Sequence, residues 1–162
     1  MPLKVMITKR ADGSGLLKCI RADGTETWQK QTTRHASHFA LHDLTHFAVE
    51  SELGVRDAFY GLIADGWSIE DTTGKGERGA LPPEALFVEN LVGTFDMERA
   101  SGSRWTAEEF NDATTRHAAA GGRPVPRKLT DGEIARIRKR RAELFAQWHA
   151  LPNGQVLTLS FP

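Results

Sequence analysis

Two Asp-Gly pairs within the first thirty residues, Asp12-Gly13 and Asp23-Gly24, limit the fold more than any other feature of the chain. Each separates short runs of β-prone residues: Leu3–Thr8 before the first, Leu16–Arg21 between the two, and Thr25–Gln29 after the second. Asp-Gly supplies the positive-φ conformations that a tight hairpin needs, so this segment reads as a β-meander. At the far end Asn153-Gly154 introduces Gln155–Phe161, a fourth strand run. Left alone, that strand would carry unpaired backbone groups, so it is expected to complete the sheet begun at the N-terminus.

Between these ends the signals are helical. A first helix is expected from Thr32 or Thr33 to Gly54, and a second from about Val55 to Asp65, with Phe59, Leu62 and Ile63 on one face. Glu70 to Pro83 is polar and glycine-rich. Pro82-Pro83 opens a third helix, whose apolar positions are Leu86, Phe87, Leu91, Val92 and Phe95. Thr106-x-x-Glu109 is a capping box for a fourth helix ending at Gly121-Gly122. Thr130-x-x-Glu133 caps a fifth that reaches about His149. Strands at the termini with helices between them predict an α+β fold: one small antiparallel sheet with about five helices packed on one face.

At 162 residues the chain is expected to be a single domain, residues 1–162, with one substantial core. Its charged residues balance to a formal net charge of zero, which gives no global field to attract nucleic acid or an anionic membrane. No apolar run approaches the roughly 18 residues of a membrane span, and no signal peptide is visible at Met1–Val5. The single cysteine, Cys19, forms no intramolecular disulfide and fits a reducing cytoplasm. Neither a nucleic-acid nor a membrane partner is expected, and oligomeric state is not readable.

Four of the six histidines fall between His35 and His46. At 100° per residue His35, His42 and His46 lie within roughly 40° of one another, with His38 on one flank and Asp43 and Glu50 on the other. Ala40, Leu41, Leu44, Phe47 and Ala48 form the opposite, core-facing side. Lysine, glutamate or glutamine would be better helix formers on a plain solvent face. His42-Asp-Leu-Thr-His46 matches H-x-x-x-H, and also the zincin pattern H-E-x-x-H with aspartate for glutamate. Side chains at i and i+4 sit one turn apart, so two imidazoles can converge on one ion, and His38 with His42 makes a second such pair. One straight helix cannot bring i, i+4 and i+8 to a single tetrahedral ion, because the outer Cα atoms are about 12 Å apart. A residue from another element is needed, and His117, on the inward stripe of its helix with Phe110 and Ala113, is the expected donor.

The candidate metal ligands are therefore His42 and His46 as the central pair, with His38, Glu50 and His117 as further donors. Glu50 is either a ligand or the acceptor that fixes the tautomer of His46. Asp43 holds the base position of the zincin pattern, one methylene short of the usual reach. The expected function is binding of a divalent metal, with zinc preferred for its affinity to imidazole; if the site is catalytic, the activity expected is that of a metal-dependent hydrolase, and a small-molecule ligand is the partner considered. The competing reading is a non-enzymatic binding or assembly module, whose histidines form a metal-free polar or pH-sensitive surface. A third, an HD-type phosphohydrolase dyad at His42-Asp43, fits a β-meander start poorly.

The segment from His42-Asp-Leu-Thr-His-Phe-Ala-Val-Glu50 through Gly54-Val-Arg-Asp-Ala-Phe-Tyr-Gly61 resembles a set of small bacterial proteins of unknown function. They share an H-D-L-x-H-x-x-V-E helix followed by a short aromatic helix. The likeness covers about a fifth of the chain; it implies a bacterial origin and brings no activity with it.

Other motifs are weaker. Gly74-Lys-Gly-Glu-Arg-Gly79 fits G-x-G-x-x-G but lacks the strand before it and the helix on it that a dinucleotide site requires, so it reads as a mobile loop and a candidate lid. Arg136, Lys139 and Arg140 read as a solvated helix back, whereas Arg141 falls inside the apolar stripe of Ile134, Ile137, Leu144, Phe145 and Trp148, where an ion pair is expected. Cys19 reads as a core residue. Trp28, Trp67, Trp105 and Trp148 read as core or cleft walls.

Overall fold

The computed structural model describes residues 2–31 and 36–162, and the architecture is α+β. Strands β1 (Leu3–Lys9), β2 (Gly15–Ile20) and β3 (Glu26–Lys30) form the meander, and β4 (Val156–Phe161) closes the sheet in the order β3-β2-β1-β4. All three pairings are antiparallel: Val5 stands opposite Cys19 on one side and Leu159 on the other. The turn glycines Gly13 and Gly24 take φ of 83° and 86°, the left-handed conformations that the Asp-Gly pairs promised.

Strands β1, β2 and β4 alternate between buried and outward-facing residues. Leu3, Val5, Ile7, Leu17, Cys19 and Phe161 point into the core, each at most 1% exposed, while their neighbours face outward. Helices cover the inner face: α1 (Ala36–Leu53), α2 (Phe59–Ala64), α3 (Pro83–Ser101), α4 (Ala107–Ala120) and α5 (Asp131–Ala150). Phe47 of α1 reaches the sheet through edge-to-face contact with Phe161, at a ring separation of 5.7 Å. Helix α1 lies between α3 and α5, and α4 packs on α3. No helix among the described residues is long and apolar enough to cross a membrane.

Both predicted capping boxes form, with Thr106 and Thr130 accepting from the amides of Glu109 and Glu133. The expected start of the first helix at Thr32 or Thr33, and His35, lie outside the described residues. Helix α2 is shorter than expected, because Val55 to Ala58 are not helical. Gly61 presses on the backbone there so closely that a Cβ would lie 1.8 Å from the Arg56 carbonyl oxygen. Two further expectations are corrected. Trp28, on the outer face of edge strand β3, is 57% exposed and belongs to neither core nor cleft. Arg141 makes no ion pair among the described residues; its guanidinium donates to the Phe95 carbonyl (3.1 Å) and lies over the rings of Phe95 and Phe145. Cys19 is fully buried, and burial, with Asp43 nearby, pushes its thiol pKa up to about 12.

Candidate metal centre

The histidine face of α1 is turned towards α3, and the two helices hold the site between them. Helix α3 contributes Glu89, Gly93 and Asp96, which share one stripe by their i, i+4, i+7 spacing. Gly93 leaves this stripe open where α4 approaches. A Cβ on Gly93 would stand 2.7 Å from Nε2 of His117, so the imidazole of His117 occupies the space that any larger residue would claim. Gly93→Ala is therefore expected to cost about 1–3 kcal/mol through overpacking. Thermal unfolding checks this, and the cost should shrink in a His117→Ala background.

Two groups of donors converge. One atom each from His42, His46 and Glu89 lie within 4.8 Å of one another, as do one atom each from His38, His42 and Asp96. His42 belongs to both, and its Nδ1 is 3.0 Å from Oδ2 of Asp96. With Nδ1–H donating to that carboxylate, the lone pair of the neutral ring sits on Nε2. The other oxygen of Asp96, Oδ1, is buried with no hydrogen-bond partner. A buried carboxylate oxygen facing no donor is costly.

His46 is held from both ends. Its Nδ1 lies 3.1 Å from Oε2 of Glu50 and its Nε2 3.1 Å from Oε1 of Glu89. Burial alone would push its pKa down, but Glu89 and Glu50 outweigh burial and raise it to about 10. Both carboxylates thus favour the protonated ring. Glu89 shows the reciprocal effect: burial opposes its ionisation, yet His46 draws its pKa down to about 2.

Glu50 is itself fully buried, and burial raises its pKa against the pull of His46 and two backbone amides. Its Oε1 accepts from the Tyr60 amide (2.8 Å) and, more weakly, from that of Gly61 (3.5 Å). These are first-turn amides of α2, whose N-cap residue Ala58 offers no side-chain acceptor. Glu50 thus caps α2 from another helix while orienting His46. Asp43 is 8% exposed, accepts a hydrogen bond from Nε2 of Gln31, and has its pKa raised by burial to about 6 despite His42 and His46 nearby.

The site opens onto a cleft of about 390 Å³. His42, Asp43, His46 and Glu89 lie on one side, and Phe59 and Arg123 are also among its walls. Thr72, Thr73 and Leu81, from the segment expected to be a mobile loop, line it as well. Arg123 donates to Oδ1 of Asn90 (2.8 Å) and leaves its other N–H groups for the cleft or solvent.

The structure therefore brings His38, His42 and His46 together on α1. Glu50 stands behind His46 as acceptor rather than within either donor group, and Asp43 lines the same cleft outside both groups. His117 belongs to neither group; it lies against Gly93, and the donor from a second helix beside His42 and His46 is Glu89. Glu89 and Asp96 were not anticipated from the sequence. The readable signal was an acidic pair seven residues apart with glycine between, on a helix otherwise read for its apolar positions. Comparison of the chain with protein-family models, with curated proteins and with solved structures gives no match.

Proposed function

We propose that the protein binds a divalent metal ion through His42, His46 and Glu89, and that this centre serves a metal-dependent hydrolase acting on a small molecule in the adjoining cleft. The observation that carries the reading is the convergence of two imidazoles and a carboxylate from two helices. The donor set of two nitrogens and one oxygen suits zinc among the common divalent ions, with a coordination position left for a ligand. In this reading Glu50 fixes the orientation of His46 through Nδ1, and Asp96 does the same for His42.

A divalent ion supplies Lewis acidity at such a site. Asp43 is the proton acceptor, since a carboxyl with a pKa near 6 is mostly ionised at neutral pH yet basic enough to accept a proton. Arg123 offers a cationic contact for a polar or anionic group of the substrate, with Phe59 and Leu81 against its apolar part.

A metal-free polar cluster is favoured by one observation: both ring nitrogens of His46 already have carboxylate partners, Glu50 and Glu89. Metal content separates the two. Protein purified without a histidine tag is expected to carry near-stoichiometric metal, and His42→Ala, His46→Ala and Glu89→Ala each to lose it. Absence of metal, together with unchanged melting in added zinc, would sink the metal reading and leave the polar cluster.

A further inference from the structure

Away from the metal centre, near the end of α3, a second cleft of about 380 Å³ is lined by Arg99, Arg104, Arg138 and Arg141 with Ser103 and a single carboxylate, Glu98. Four guanidinium groups face one acid. Glu98 is 4% exposed, and its charge is already committed: it pairs with Nη2 of Arg138, accepts from Nε of Arg138 (3.2 Å), and accepts from the Trp105 amide (3.0 Å). Arg138 also donates to the Trp105 carbonyl (2.7 Å). That pair is therefore nearly saturated, and three cations remain around it.

Arg99 stands in the last turn of α3, where a cation complements the helix dipole, and this accounts for it without a ligand. Arg104 and Arg141 have no such account. Arg104 lies in the connection to α4 and forms no ion pair among the described residues. Arg141 is partly buried; burial lowers its pKa although Glu98 and Asp96 oppose the shift. Its guanidinium is stacked over Phe95 and Phe145 and spends one N–H on the Phe95 carbonyl. Arginine retained in an apolar stripe, immobilised by two rings and with most donors unspent, is pre-organised to grip a multidentate oxyanion.

We propose that this cleft is a binding site for a phosphate group, with Arg104 and Arg141 as its principal donors and Arg99 and Ser103 at its rim. A tetrahedral dianion offers enough acceptors to engage several arginines at once, and the excess positive charge matches it. The cleft is larger than a bare phosphate needs, so it accommodates a phosphorylated small molecule as well as the free ion.

The test is calorimetric titration of the full chain at low ionic strength with inorganic phosphate and, separately, methyl phosphate. A chelator is present throughout, so that a metal at the α1–α3 site contributes nothing. Saturable binding is expected, weakened about tenfold or more by Arg104→Gln, whose side chain is exposed and whose loss should leave the fold intact, and likewise by Arg141→Lys. Tighter binding of methyl phosphate would identify an organic phosphomonoester as the occupant, and tighter binding of phosphate the free ion. No saturable binding of either, or binding indifferent to both substitutions, would overturn the proposal. So would binding removed by Arg123→Gln and retained in Arg104→Gln, because it would place the anion in the other cleft.

Discussion

Glu50→Ala is expected to destabilise the protein by about 3–5 kcal/mol, the loss typical of removing one partner from a buried ion pair. The reason is the number of groups that depend on this one side chain. Removing it strands the charge of His46 at Nδ1 and leaves the first-turn amides of Tyr60 and Gly61 without an acceptor, all in a fully buried setting. For a chain of this length the corresponding fall in melting temperature is roughly 6–20 °C, measurable by calorimetry. Glu50→Gln is the informative control. It keeps an acceptor oxygen for Tyr60 but can present an N–H to Nδ1, which places the proton of a neutral His46 on Nε2, the nitrogen facing Glu89. This variant should retain most of the stability and bind metal about 10–100-fold more weakly, as expected when a partner of a metal-ligating histidine is altered. Equal metal affinity in Glu50→Gln and the unaltered protein would show that Glu50 does not govern the tautomer.

The second large effect is on pH. If a metal binds as proposed, it must compete with a proton for Nε2 of His46, whose pKa is raised to about 10. Each ion bound must then release that proton, so apparent affinity should climb about tenfold per pH unit below 10, or roughly 100-fold between pH 6 and pH 8. The direction follows from the protonation state: raising the pH removes the competitor and favours the metal form. An ordinary exposed histidine would give a curve that flattens above about pH 6.5, since its competing proton is then already gone. Competition titration with a chromophoric chelator at several pH values distinguishes the two shapes. In Glu89→Gln the carboxylate holding the proton on Nε2 is lost, and the pKa of His46, followed by NMR titration of the metal-free protein, should fall.

Much of the fold is legible along the chain because its signals are local. Asp12-Gly13, Asp23-Gly24 and Asn153-Gly154 mark turns by their own backbone preferences, and Thr106 with Glu109 or Thr130 with Glu133 closes a cap within four residues. The start of helix α2 is not legible in the sequence because its cap is not local: the acceptor for the Tyr60 amide is Glu50, ten residues upstream on another helix. The candidate site divides along the same line. His38, His42, His46 and Asp43 are readable because one helix fixes their relative angles. Glu89 and Asp96 become partners only when α3 packs on α1, an event that no periodicity in α3 announces. His117, half-buried, lies against the backbone of Gly93 rather than beside His42 and His46.

Because one carboxylate serves both His46 and the start of α2, an ion bound at the proposed site would share a free energy with the fraying of a neighbouring six-residue helix. Whatever tightens the grip of Glu50 on His46 also slows the opening of α2, and the reverse holds by reciprocity. The Tyr60 amide is accordingly a reporter built into the chain, whose hydrogen-exchange protection should deepen as zinc is added, even where no side chain of α2 touches the ion.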